Sequence, residues 1–214
     1  MPQRASQLFN ELGFIFISIP KTATNSIWDV VLPEPSYKPF QHVHGKVIKY
    51  CMDHFYPGSW DLVYRFACVR HPYDLVRSWY QYHTTHKDIS KEVKDFYDFS
   101  FDEWANDYNF MTHWELEKQK KLNPLWDGTN PLNQWMWVYD EDDNCLVHDV
   151  IHQNELAKGL EKLSERIPLN RELKRLNVSG DIEEINLTAE TKKKIQEKFK
   201  KDFEIFDFSP EGVS

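Results

Sequence analysis

The sequence predicts an α/β domain built on a parallel sheet, and three observations carry that expectation. Apolar runs too continuous for half-exposed strands occur at residues 14–19 and 62–69. Each gives way to apolar residues at helical spacing: Ile27, Trp28, Val30 and Val31 after the first, Leu75, Val76, Trp79 and Tyr80 after the second. No repeat or low-complexity segment interrupts this alternation, which is that of strands joined by crossover helices.

The first run stops at Pro20, which cannot donate to a sheet ladder. The small, hydroxyl-rich stretch Lys21-Thr22-Ala23-Thr24-Asn25-Ser26 follows before the helix resumes. A loop of this kind aims several backbone N–H groups and a helix N-terminus at one spot, which favours a phosphate or sulfate, and Lys21 adds a mobile positive charge. The stretch also fits a plain strand–turn–helix connection with a surface lysine, because the glycines and the Gly-Lys-Ser/Thr order of the usual nucleotide loop are absent.

A proline-spaced connection at 33–39 leads to a helix expected to begin near His42, with Val43, Val47, Ile48 and Cys51 inward and both His42 and His44 in its first turn. Pro57-Gly58 marks a turn, and the second strand ends at Arg70-His71-Pro72, where proline suits the first position of a helix. Residues 88–133 show no steady period. Within them Ser100 and Glu103 form a capping-box pattern for a short helix through Trp104 and Tyr108, and 123–131 read as loop. Two short strands, 135–138 and 145–151, are expected around the acidic turn at 140–144. A helix from about Asn154 places Leu156, Leu160, Leu163 and Ile167 on one face despite Gly159, and Pro168 closes it. The last helix is expected to start at Thr188 as N-cap and to run through Ile195, Phe199 and Phe203, its lysines forming a solvated face.

At 214 residues, 41% hydrophobic and 15% aromatic, the chain fits a single domain with a substantial core. A net charge of −8 excludes general nucleic-acid affinity but leaves room for a small anion in a focused pocket. Cys51, Cys68 and Cys145 show no metal-binding spacing and read as reduced thiols. The first ten residues lack a secretory pattern and no segment approaches ~18 apolar residues, so a soluble, cytoplasmic chain without membrane association is expected. The triplets at Asn177 and Asn186 then read as chance matches to a glycosylation acceptor.

In open α/β sheets ligands sit beyond the carboxyl ends of the strands, where both Pro20-Lys21 and Arg70-His71-Pro72 fall, so the two loops are expected to converge. Arg70 offers a planar fork that can bond two oxygens, and Ser78 offers a hydroxyl. Taken alone, Arg70 is more often a structural ion-pair partner.

On these residues the chain resembles the P-loop-type sulfotransferases that use 3′-phosphoadenosine 5′-phosphosulfate (PAPS), above all the carbohydrate (heparan and chondroitin) sulfotransferases and their soluble bacterial relatives. In that family a buried strand leads into an Ile-Pro-Lys-Thr-Ala-x-x-Ser loop around the 5′-phosphosulfate, matched from Ile19 to Ser26. A second strand ends in Val-Arg-x-Pro-Tyr followed by a serine, matched by Val69, Arg70, Pro72, Tyr73 and, after a one-residue shift, Ser78; the arginine and serine grip the 3′-phosphate. The segments Leu146 to Ile151 with Glu155, and Leu187 to Phe206, resemble later family patterns. Two departures stand out: Thr24-Asn25 replace a Gly-Thr or Ser-Thr pair, and His152-Gln153-Asn154 stand where an arginine often precedes the acidic residue.

The resemblance implies a three-layer P-loop-type fold with a central parallel sheet flanked by helices. It implies one domain over 1–214, with cofactor motifs at 14–32 and 62–80 and acceptor-side insertions at about 33–60 and 88–133. Cofactor contacts would come from Pro20, Lys21, Thr22, Ala23, Thr24, Asn25, Ser26, Arg70 and Ser78, and from Arg175 and Ser179 in a basic loop that also holds Arg171, Lys174 and Asn177. The implied reaction moves a sulfuryl group from PAPS to a hydroxyl or amine of a glycan or small-molecule acceptor, leaving adenosine 3′,5′-bisphosphate (PAP), and unlike a kinase reaction it needs no metal. Lys21 would stabilise the departing oxygen, and His42, or failing it His44, would be the general base. Against this stands a helix-start histidine that only makes a local hydrogen bond. The acidic charge favours a neutral sugar, glycolipid or small hydroxylated metabolite. Aromatics such as Tyr80, Tyr82, Tyr97, Trp104, Tyr108, Trp114, Trp126, Trp135 and Trp137 either stack on it or fill the core. Two other readings are a nucleotide kinase, for which Asp149 is the acidic candidate for magnesium, and a nucleotide-binding protein that has lost catalysis.

Overall fold

A computed structural model of the protein describes residues 2–34, 37–119, 132–173 and 185–212. Arg175, Ser179, Lys174, Asn177, Trp126 and the expected loop at 123–131 lie outside the described residues. In chain order the first elements are α1 (Pro2–Leu12), β1 (Phe14–Ile17), α2 (Thr24–Val31), α3 (Gly45–Phe55) and β2 (Tyr64–Val69). Next come α4 (Pro72–Thr85), α5 (Lys91–Asp95), α6 (Phe101–Asn106), α7 (His113–Gln119) and α8 (Trp135–Val138). The last are β3 (Asp149–His152), a 3-10 turn at Gln153–Glu155, α9 (Leu156–Ser164), α10 (Ala189–Lys198) and α11 (Lys200–Ile205). The fold is mixed α/β with a small, open three-stranded parallel sheet in the order β1-β2-β3. The described chain divides into two compact units, one of residues 1–70 with 134–178 and the other of 71–133 with 179–214.

The first unit holds the sheet. All four residues of β1 are buried, as are the last four of β2, and that two-sided burial is why both read as unbroken apolar runs. Phe14 pairs with Tyr64 and Ile17 with Ala67, and Val69 pairs with His152. Trp28 on α2 packs edge-on against Phe16 at 5.0 Å, α1 lies against β1, and α9 lies against β3. The N-terminal helix α1 had no counterpart in the sequence reading; it buries Phe9, which stacks on Phe40 at 5.7 Å. Gly159 explains itself here. A Cβ on it would come within 2.4 Å of Ile151, so α9 can cross β3 this closely only without a side chain at that turn.

Three expectations for this unit are corrected. Residues 135–138 form a helical turn, not a strand, and of the expected hairpin only the Tyr139–Cys145 bridge remains. A four-residue apolar run cannot distinguish the two, and burial of the adjacent Trp137 and Val138 suits a turn whose side chains fan inward. The 145–151 strand begins only at Asp149, because the preceding residues serve Arg65, whose Nε donates to the Leu146 carbonyl at 2.9 Å. The helix expected near His42 begins at Gly45, with His44 as its N-cap residue.

The second unit is organised around aromatic packing. Trp104 is fully buried among Tyr97, Phe101 and Phe110, and α10 contributes Ile195 with Phe199 at its end. The buried indoles find polar partners: Trp79 Nε1 donates to Tyr97 Oη at 2.9 Å and Trp104 Nε1 to the Met111 carbonyl at 2.8 Å. Pro72 opens α4 as expected, and the capping box of α6 closes on both sides, at 2.6 Å and 3.2 Å. Thr188 caps α10 through the Thr191 N–H at 3.1 Å. The long terminal helix is interrupted, however: Phe199, with φ −105 and ψ 21, separates α10 from α11.

Candidate functional site

At the carboxyl end of β1 the chain turns through Ser18, Ile19 and Pro20 into α2. Lys21 and Ala23 both adopt left-handed backbone, with φ 67 and 61, and Thr22 lies between them. These are conformations that glycine adopts at no steric cost, so this loop forms without glycines at a cost of roughly 1–2 kcal/mol per left-handed residue. Two buried hydroxyls hold it: Thr22 Oγ1 donates to the Ile19 carbonyl at 2.9 Å and Thr24 Oγ1 to the same oxygen at 2.7 Å. Ala23, the N-cap residue of α2, gives the helix no side-chain cap.

Charge gathers at the same place. Burial, then the nearby Arg70 guanidinium, pulls the Lys21 ammonium down to about 8. Arg70 follows the last residue of β2, and its Nη1 donates to the Lys21 carbonyl at 3.3 Å, so the two loops converge as expected. Lys38, which the sequence reading passed over, donates from Nζ to Asn25 Oδ1 on the first turn of α2. Burial lowers its pKa, against a smaller opposing effect of Asp29. Asn25 thus anchors a cation. Nothing in the stretch 33–39 but the lysine itself could have signalled this contact.

His42 reaches the loop from a turn in which Phe40 and His42 itself are left-handed, φ 49 and 57. Buried Ser18 anchors it twice: its Oγ accepts the His42 N–H at 3.0 Å and its carbonyl lies 3.0 Å from Nδ1. A carbonyl can only accept, so Nδ1 carries the proton and Nε2 is the ring's basic nitrogen. Desolvation of the ring holds its pKa below the ordinary value, outweighing the Ser18 bond, and the charges of Lys38 and Lys21 act in the same direction as desolvation. His42 is therefore neutral near pH 7. His44 is placed differently: its Nδ1 lies 3.0 Å from the Met136 carbonyl and its ring stacks on Trp137 at 4.1 Å.

The other expected residues scatter. Pro20 and Ser26 belong to the loop and first turn as read. Ser78 is buried on α4, which belongs to the second unit. Arg171, grouped with the basic loop, caps the opposite end of α2, donating to the carbonyls of Asp29 at 3.0 Å and Leu32 at 2.9 Å. Asp149 begins β3, at the amino end of the sheet, where it accepts from Tyr64 Oη at 2.5 Å and Lys162 Nζ at 2.6 Å. It cannot serve as an acidic ligand at the carboxyl ends of the strands. Among the aromatics, Tyr97, Trp104 and Trp137 are buried core residues. Among the described residues no helix is long and apolar enough to cross a membrane. Compared with family models, with curated proteins and with solved structures, the chain matches none.

Proposed function

We propose that the protein is a PAPS-dependent sulfotransferase of P-loop type, acting on a hydroxyl or amine of a carbohydrate or small-molecule acceptor. The observation that carries this reading is a histidine whose Nδ1 is held by the Ser18 carbonyl, so that Nε2, in a long 3.5 Å contact with the Gln41 amide nitrogen, is its basic nitrogen, near a loop furnished with Lys21, Lys38 and Arg70. An anion-binding scaffold needs the cations but not the base.

In this reading the left-handed loop and the α2 N-terminus receive the phosphosulfate end of the donor, and Arg70 meets a phosphate oxygen with its fork. His42 Nε2 removes the proton as the acceptor oxygen or nitrogen bonds to sulfur. As the sulfur–oxygen bond to the phosphate breaks, Lys21 and the loop N–H groups take up the charge on the departing oxygen. Such preorganised donors act strongly because they need no reorganisation during the reaction. The position of Asp149 at the far end of the sheet weighs against the kinase alternative.

Titration calorimetry with adenosine 3′,5′-bisphosphate, against ATP with magnesium, tests the nucleotide. Heat with the bisphosphate, lost in Arg70→Ala, supports the reading; binding of magnesium-ATP alone overturns it. Transfer of labelled sulfate from PAPS to a panel of neutral glycans and phenols tests catalysis, and turnover retained in Lys21→Ala removes the proposed leaving-group role.

A further inference from the structure

Gln134 is completely buried and spends both ends of its side-chain amide on one residue. Its Oε1 accepts from the Arg70 N–H at 2.7 Å, and its Nε2 donates to the Arg70 carbonyl at 2.8 Å. It precedes α8 as N-cap residue yet gives that helix no side-chain bond. The site of action explains why. The pairing of β2 with β1 ends at Ala67 and with β3 at Val69, so the ladder has run out when the chain reaches Arg70. The amide satisfies both polar groups of the next backbone unit in place of a strand neighbour. The side chain of the residue so fixed donates to the carbonyl of Lys21 in the anion loop.

We infer that Gln134 is a positioning residue of the anion site, setting the Arg70 backbone so that its guanidinium meets the Lys21 loop and the two cations are presented together to a phosphate or sulfate group. The inference rests on the anion cradle of the proposed function and not on the identity of the donor. Gln134→Met keeps the length and removes both bonds, whereas Gln134→Asn keeps an amide one methylene too short to reach both groups. If Gln134 works through Arg70, removing it matters only while Arg70 is present, which a double-mutant cycle isolates.

Two measurements on the full chain test this. In ligand-free protein, the titration of Lys21 is followed by competitive acetylation and mass spectrometry. Because Arg70 adds to burial in holding the Lys21 pKa down, Gln134→Met and Arg70→Ala should each raise it, and the double variant should raise it no further. In calorimetry with adenosine 3′,5′-bisphosphate, Gln134→Met should weaken binding by about tenfold, the scale of one lost positioning interaction, with no further loss in the Arg70→Ala background. A normal Lys21 titration with undiminished bisphosphate affinity, or effects that add to those of Arg70→Ala, would overturn the positioning role. Wild-type protein that ignores the bisphosphate while Lys21 shifts as described sinks the sulfotransferase reading and leaves the role of Gln134 standing. Should the methionine variant not fold, Gln134→Asn carries the same cycle with the same outcomes.

Discussion

Replacing Thr22 and Thr24 by valine, singly and together, probes how the loop is held. Both hydroxyls donate to the carbonyl of Ile19, a residue only 2% exposed. Valine matches threonine in shape, so each single substitution removes one neutral hydrogen bond while the other still satisfies the carbonyl, at about 1 kcal/mol. The double variant leaves a buried acceptor with nothing to accept, which adds a desolvation cost of about 1–3 kcal/mol. The combined loss should be about 3–5 kcal/mol, larger than the sum of the singles. For a chain of this size each kcal/mol corresponds to roughly 2–4 °C in Tm. Urea unfolding at pH 7 gives the three energies and their coupling, and calorimetry with adenosine 3′,5′-bisphosphate shows whether the loop still binds. The double variant should bind poorly even where it is folded, because the hydroxyls offset the left-handed backbone of Lys21 and Ala23. Strict additivity would refute the reasoning, since it would mean that the Ile19 carbonyl finds another donor.

Other expectations follow from single contacts. Lys38→Met removes a charge that depresses the His42 pKa; the acid limb of the kcat/KM profile should move to higher pH, and an unmoved limb would separate Lys38 from the base. Gly159→Ala would gain about 1 kcal/mol from helix propensity on an open surface, but the 2.4 Å approach to Ile151 costs about 1–3 kcal/mol of overpacking, so the net effect is destabilising by up to about 2 kcal/mol. Ile151→Ala should absorb much of that loss in a double variant. Burial, with His83 beside it, pulls His113 down to about 3. Its folded pKa lies below its unfolded value near 6.5, so the unfolded chain binds the proton first and stability should fall as pH drops from 6.5 toward 3. Thermal melts across that range should show the slope, and His113→Gln should flatten it.

The residues that announced themselves in the sequence are those whose role is local or two-sided. The strand at 14–17 and residues 66–69 of the next strand are buried on both faces and therefore spell apolar runs. Pro72, Ser100 with Glu103, and Thr188 act within one turn of helix, so their patterns suffice to place helix starts. The sequence placed the turn at Lys21 but not its backbone, because the left-handed residues are Lys21 and Ala23, not glycine, and their strain is offset by threonine bonds that no pattern displays. What only the tertiary structure decided rests on contacts between distant residues. Ser18 fixes the tautomer of His42 across 24 positions, and Gln134 clamps Arg70 across 64. Asn25 holds Lys38, and Arg171 is drawn to the far end of α2. The short run 135–138 became a turn for the same reason: four apolar residues carry no period of their own, and packing chose between the two backbones. A sequence fixes which residues carry charge and titrate; the contact of Arg70 with the Lys21 carbonyl, and the desolvated setting of His42 near Lys21 and Lys38, exist only once the strands have brought their carboxyl ends together.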